Sequence, residues 1–429
     1  MENKYTIRKC TLIPNGTSLE EEYDIVRGGP IIDYYESIES PTIAMTVSFL
    51  DIDQMLGQEG ITGGELIDLR VQINGFDDFE IKSKEHRLML NSVTDMITDT
   101  NKQFATLQFV SVESIINETA RVNKKLTGNV SNTVKNLLVR GEGTDKKGIQ
   151  SPKKLHKDDA LNSYSFIGNL KRPFDIIQWL QPKTQSSKTN FGFLFYEAHD
   201  GYHFKSIENL LKQKSVKYTK TDKPVEGDFR ILSNNLNQTN DIGLNLRSGM
   251  YANKTIYIDI ENQTKNIVDF TTEDLNLKKP PKLLDGLEKK PSRLMLRVND
   301  FGVAQKGSKK DDVQPSSELA VYQNKSYIRN NLLFSQSLSI SIPLNPDLKA
   351  GQIIDIKLPL KRSNKTKSRR GNTNTNLGRS DVNKARTDSF GDEKTNDPSG
   401  RYLISTLRHM IGGGKSETQL TLIRDVFTA

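Results

Sequence analysis

Gly64-Glu65-Leu66-Ile67-Asp68-Leu69-Arg70-Val71 is matched position by position by Gly351-Gln352-Ile353-Ile354-Asp355-Ile356-Lys357-Leu358. Each stretch is a glycine followed by period-two alternation. Ile67, Leu69 and Val71 share one face of the first, and Ile354, Ile356 and Leu358 share one face of the second. That is the pattern of a half-buried strand entered through a turn. The residues that define the repeat are Gly64, Ile67, Asp68 and Leu69, with Gly351, Ile354, Asp355 and Ile356 as their counterparts.

The flanks match as well. Upstream, Met45, Val47 and Phe49 alternate with Thr46 and Ser48, as Leu338, Ile340 and Ile342 do with Ser339 and Ser341. Downstream, Arg87 to Ile97 parallels Arg401 to Ile411, and Leu107–Val110 parallels Leu420–Ile423. Four strands recurring in one order predict two copies of a small antiparallel β-barrel or sandwich. The copies differ in one gap: Val71 to Arg87 spans 16 positions, whereas Leu358 to Arg401 spans 43. The excess corresponds to 361–388, a loop rich in Asn, Ser, Thr and Gly. It carries Lys361, Arg362, Lys365, Lys367, Arg369, Arg370, Arg379, Lys384 and Arg386 against two Asp, a net of +7.

Between the copies the period changes. Val112, Ile115, Ile116 and Val122 sit at helical spacing, and so do Val130, Val134, Leu137 and Leu138. Another helix is predicted from Pro173, which suits a first turn, to Leu180, before Pro182 blocks extension. Phe191–Ser206 holds Asp200-Gly201 between aromatic-rich runs, a hairpin signal. Residues 226–330 read as mixed, with a strand at Thr255–Ile260 and no assignable topology. The fold class expected is mainly β with α+β insertions: two similar antiparallel β-barrels joined by a helical or mixed middle region. The boundaries are 1–112 for the first barrel and 113–225 for a helical or mixed domain with hairpin 191–206. Residues 226–330 form a connecting region partly contributing to the second barrel, and 331–429 is the second barrel with basic insertion 361–388.

The chain carries a formal net charge of +8, and its apolar fraction is 34%. Residues 121–157 add a second basic stretch of +8, so everything outside these two stretches is mildly acidic. A single cysteine, Cys10, excludes an internal disulfide and a cysteine-based zinc site, and it suits a reducing cytoplasm. The polar start MENKYTIRKC has no signal-peptide core, and no run approaches the roughly 20 apolar residues of a membrane span. No membrane association is expected.

Signs of chemistry are sparse. Gly414-Lys415-Ser416 matches the end of a phosphate-binding loop, but position 409 is His409 where that loop needs glycine, and a strand follows. A hairpin turn is the better reading. His199 and His203 stand beside Glu197 and Asp200, yet the hairpin supplies neither a helical register nor a third neutral ligand. His86, His156 and His409 read as isolated. The pairs Asp51/Asp53 and Asp77/Asp78 read as solvated loop carboxylates. No catalytic, cofactor-binding or metal residue is expected, and the chain reads as no enzyme. The basic stretch 361–388 has no aromatic residue to stack on bases. Docking on an acidic protein surface is therefore favoured over nucleic acid.

Tyr35-Glu36-Ser37-Ile38 with Pro41, KRPFDIIQWL (171–180) before GFLFYEAHDGYHFKSI (192–207), and GRYLISTLRHMI (400–411) with LTLIRD (420–425) carry a further signal. Together they resemble the baseplate hub subunit of contractile-tailed phages, densest at 31–112, 130–210 and 330–427. The resemblance implies a virion structural protein, assembled in the host cytoplasm, that forms a homotrimer in the tail baseplate. It implies an adaptor between a sixfold tail tube and a threefold spike, with baseplate wedge proteins as further neighbours. It also implies a channel through which DNA passes without specific binding, and from it 361–388 is expected on an outer surface. The alternatives are a nucleic-acid-binding or secretion-type spike module, and a tail-associated cell-wall hydrolase.

Overall fold

The computed structural model describes residues 5–16, 21–52, 61, 63–99, 102–141, 148–187, 190–221, 229–238, 241–260, 263–275, 282–298, 305–306, 314–315, 318–358 and 398–425. The basic stretch 361–388, with all of its Lys and Arg residues, lies outside these, as does Asp53.

The chain opens with β1 (Tyr5–Ile13), β2 (Tyr23–Asp24), β3 (Ile31–Ser37), β4 (Ala44–Asp51), β5 (Leu66–Ile73), β6 (Phe79–Ile81), β7 (Leu88–Asp99) and β8 (Lys102–Ser111). Next come α1 (Val112–Thr119), β9 (Lys125–Asn129), α2 (Val130–Leu138), β10 (Leu155–Lys157), β11 (Ser163–Ile167), α3 (Pro173–Leu180), β12 (Phe193–Ala198), β13 (Gly201–Ser206), α4 (Ile207–Leu211) and β14 (Ser215–Thr219). Then follow β15 (Ser233–Gln238), α5 (Ile242–Ser248), β16 (Ala252–Asp259), β17 (Thr264–Thr271), β18 (Arg293–Val298), β19 (Gln305–Lys306), β20 (Gln314–Pro315) and α6 (Glu318–Leu333). The last strands are β21 (Gln336–Pro343), β22 (Ile353–Lys357), β23 (Gly400–Gly412) and β24 (Lys415–Arg424).

The architecture is mainly β. Its largest sheet has 14 strands, with a main path β15-β21-β24-β23-β3-β4-β8-β7-β5-β1-β2. Within it, β4-β8-β7-β5 and β21-β24-β23-β22 run in the same order, and their registers coincide. Met45 faces Phe109 as Leu338 faces Leu422, and Val47 faces Leu107 as Ile340 faces Leu420. Asn91 on β7 and Ser405 on β23 are the extra residues of β-bulges at matching positions. The turns match too. Gly64 N–H donates to the Leu90 carbonyl and Leu90 N–H to that of Glu65, while Gly351 N–H donates to Ile404 and Ile404 N–H to Gln352. Both entry glycines have positive φ, 103° at Gly64 and 81° at Gly351, where a Cβ is disfavoured.

No ladder closes into a barrel among the described residues. The two units are instead joined edge to edge, because β3 pairs antiparallel with β23, from Ser37 opposite Thr406 to Ile32 opposite Ile411. Each unit has a fifth strand on the far side of its first, β3 on β4 and β15 on β21. The outer edge of β15, and the edge of β7 along Ser92–Ile97, have no strand partner among the described residues. One apolar core runs beneath both units, from Cys10 and Met45 to Ile356 and Leu422.

A second core fills the middle region. There α2 is capped by Asn129, whose side chain accepts from Ser131 N–H at 3.0 Å, and it buries Val134, Leu137 and Leu138. Three small sheets complete the fold: β10-β13-β12, β20-β19-β11-β9 and β17-β16-β18. The last of these buries Tyr257 on one face and exposes Leu294, Leu296 and Val298 on the other.

Candidate functional site

The hairpin β12–β13 is the meeting point of the molecule. Every residue from Phe193 to Ala198 is buried, so both faces pack against the rest of the chain, and the charged Glu197 among them must find partners. Phe193 and Phe195 join the middle core with Tyr202 and Phe204. Leu194, Tyr196 and Ala198 point the other way, onto Ile38, Ala350, Ile353, Leu403 and Ile423. Ala198 pairs with Gly201, so the two-residue loop is His199-Asp200, one position earlier than Asp200-Gly201 suggests. Gly201 opens β13 with φ +122°, and a Cβ there would meet the Lys154 carbonyl at 2.4 Å.

Two buried carboxylates bind this hairpin to its surroundings. Glu36, on β3, accepts Tyr34 Oη at 2.9 Å, His199 N–H at 2.7 Å and Ala350 N–H at 2.7 Å. One side chain thus ties the first unit, the hairpin loop and the turn into the second unit. Burial pushes Glu36 up to about 7, against the pull of its three donors. Glu197, on β12, accepts Ser111 Oγ at 2.6 Å and Ile43 N–H at 3.1 Å, and Lys153 Nζ lies 2.5 Å away. Lys153 also pairs with Glu113 of α1 at 2.9 Å, and Glu113 in turn with Arg87 at 3.2 Å. Burial raises Glu197, with Lys153 opposing the shift.

All five histidines gather around this hairpin, which corrects the reading of His86, His156 and His409 as isolated. The His86 and His199 ring centroids lie 4.4 Å apart, and His409 stacks on Tyr34 at 6.0 Å. His156 and His203 stack at 4.8 Å because β10 pairs in parallel with β13 and places them opposite each other. Asp200 stands beside both, His203 Nε2 being 2.9 Å from Oδ1 and His156 Nε2 3.7 Å from Oδ2. A second imidazole therefore does stand beside His203, contrary to the expectation from the hairpin alone. Burial, then the neighbouring His203, lowers the His156 pKa. Two openings flank the loop: a cleft of about 620 Å³ edged by Glu80, His86 and Lys153, and a smaller one of about 220 Å³ edged by His156, His203 and Lys349.

The remaining sequence candidates fall elsewhere. Gly64, Ile67, Asp68 and Leu69 enter and form β5, and Gly351, Ile354, Asp355 and Ile356 do the same for β22. Asp68 pairs with Lys9 at 2.8 Å. Gly412-Gly413-Gly414-Lys415 is the tight turn between β23 and β24, with Gly412 opposite Lys415. Asp51 is buried and bonded to Tyr23, and Asp78 pairs with Arg70, so neither is a free loop carboxylate. No described helix is long and apolar enough to cross a membrane.

As a whole, this fold is similar to that of solved tail proteins. No family model and no curated protein matches the sequence. Among solved structures, the tail protein from Neisseria meningitidis MC58 is similar with TM-score 0.52 at 10% identity, over 99% of this chain and 98% of that one. The prophage MuSo2 43 kDa tail protein from Shewanella oneidensis is similar with TM-score 0.51 at 10% identity, over 98% of this chain and 99% of that one.

Proposed function

We propose that this chain is a structural protein of a phage tail, a baseplate hub subunit that assembles as a homotrimeric ring. The observation that carries this reading is the way its two units meet. The β3 edge of the first unit pairs with β23 of the second. Matching the units strand for strand makes β15 the counterpart of β3, and β7 the counterpart of β23. Both of these edges lack a strand partner among the described residues, β7 along Ser92–Ile97. Joining β15 of one copy to β7 of the next repeats the intrachain junction in trans. A head-to-tail contact of this kind closes into a ring when the rotation per unit divides a full turn. Three copies then supply six like units, suited to a sixfold tube on one side and a threefold spike on the other.

In this reading each unit acts as a small β-module built on four antiparallel strands in one order. The division into 1–112, 113–225, 226–330 and 331–429 is kept as functional parts, with Gly64 and Gly351 setting the matched turns. The role is mechanical rather than catalytic, in the virion baseplate, with spike, tube and wedge proteins as neighbours and DNA passing through the ring. Residues 361–388 dock on protein at the ring's outer surface. The likeness to tail proteins of N. meningitidis and of prophage MuSo2 supports the setting.

Electron microscopy of the purified chain tests the ring. Threefold particles with a pseudo-sixfold face are expected. Monomers both alone and with the cognate spike would overturn it.

A further inference from the structure

We propose that His156, Asp200 and His203 form a binding site for a divalent transition metal of the zinc class. The parallel β10–β13 ladder makes His156 and His203 direct partners, so their side chains leave adjacent strands on one face. The rings lie 4.8 Å apart at 15°. Both Nε2 atoms are turned toward Asp200, which the two-residue loop delivers three positions before His203. One donor atom from each residue lies within 4.8 Å of the other two. A tetrahedral ion with ligands at roughly 2.0–2.2 Å spaces its donors by about 3.4 Å, so closure needs small side-chain rotations only. Two imidazole nitrogens and one carboxylate oxygen favour zinc-class ions over magnesium or calcium, which prefer all-oxygen sets.

The surroundings fit such a site. Tyr196 stacks on His203 at 4.9 Å and 5°, fixing its ring plane. The opening of about 220 Å³ beside the three residues leaves room for a fourth ligand such as water. The side chains retain 25%, 15% and 34% exposure for His156, His203 and Asp200, enough for an ion to enter. Lys349 Nζ, 3.3 Å from Asp200 Oδ2, is the resident cation that the metal must displace. Metal binding would therefore exchange a link between the hairpin loop and the turn before β22 for a staple between the hairpin and β10.

Isothermal titration of the untagged full-length chain with zinc chloride, after treatment with chelator, tests the site. One ion per chain is expected. His156→Gln and His203→Gln should each weaken binding beyond the roughly 10–100-fold typical of an outer-shell change. Lys349→Met should tighten it, and His86→Gln should leave it unaltered. X-ray absorption of the zinc-loaded wild type needs no variant, and it should report two imidazole ligands with oxygen completing the shell. Absence of zinc binding, binding that survives both histidine substitutions, or a shell without two imidazoles would each overturn the proposal.

Discussion

Among the described residues Lys153 is the sole cation in direct contact with Glu197, and it is shared with Glu113. Its side chain is 5% exposed, against 0% for Glu113 and 1% for Glu197. Lys153→Met keeps the length and apolar volume but leaves Glu197 with hydroxyl and amide donors alone. Breaking a buried pair by removing one partner costs about 3–5 kcal/mol. At roughly 2.1 cal/mol/K per residue, cooperative unfolding of the whole chain carries about 0.9 kcal/mol/K, so Tm falls by about 3–6 °C. The drop is larger if the middle region unfolds as its own unit, since fewer residues then share the entropy. Trp179 is the only tryptophan and lies on α3, so its fluorescence follows that region directly. The loss should also depend on pH. Burial already raises Glu197, and without Lys153 it rises further. A carboxylate raised in the folded state stabilises below its unfolded pKa, and that stability is lost as pH climbs through the folded value. The variant should therefore recover part of its deficit between pH 8 and pH 5. Lys153→Met with Glu197→Gln should cost less than the sum of the two single changes. A Tm within about 1 °C of wild type at pH 8, or an additive cycle, would refute the reasoning.

Leu236→Asp places a carboxylate on the exposed β15 edge, at the strand that pairs with the next copy in the proposed ring. Light scattering should show self-association weakened at least about tenfold with the monomer's Tm unchanged. Gly351→Ala drives a Cβ to 2.0 Å from Tyr196 Oη at φ +81°, and about 2–4 kcal/mol of stability should be lost in denaturant melts. Gly414→Ala, with φ +80° and open space around it, should cost only about 1 kcal/mol in the same melts. Burial holds His86 and His409 neutral, their pKa values lowered to about 3. The unfolded chain thus binds more protons below pH 6.5, and stability should fall on acidification towards pH 3. The slope is about 1.4 kcal/mol per pH unit for each, roughly halved by His409→Gln in acid titration.

The repeat was legible because its signals are local: a glycine where φ must be positive, then alternation that buries Ile67 and Leu69, or Ile354 and Ile356. Helices α1 to α3 and the hairpin were legible for the same reason, and Pro173 marks the start of α3. Helix α6 escaped because its inward face is partly polar. Asn324, Ser326 and Arg329 are buried, and Arg329 pairs with Asp425 at 2.9 Å, which breaks the apolar stripe that a helix normally shows. The histidine cluster escaped because it depends on a parallel ladder between β10 and β13, forty-seven positions apart at His156 and His203. Nothing in the local pattern of Leu155–Lys157 names its partner. The edge junction of β3 with β23 was hidden likewise, since either strand reads as a complete member of its own unit.

The two kinds of junction in the proposed ring differ chemically. Within the chain, Asp33 of β3 receives both Nε and Nη2 of Arg408 on β23, at 3.1 and 2.9 Å, and Arg408 lies over Tyr35 at 5.5 Å. Bidentate charge-assisted pairing of this sort both holds a register and selects it. Strand for strand, Asn235 stands where Asp33 does and Thr94 where Arg408 does. The junction between copies would thus keep the backbone ladder but lack the ion pair. The ion pair locks unit order inside a subunit, whereas in the proposed ring the pairing between subunits would use the backbone ladder without that pair. An edge of that kind is weak in isolation and gains strength when several close together. In the proposed ring a threefold partner that holds three copies together would therefore strengthen closure, since each edge contact then forms at high effective concentration.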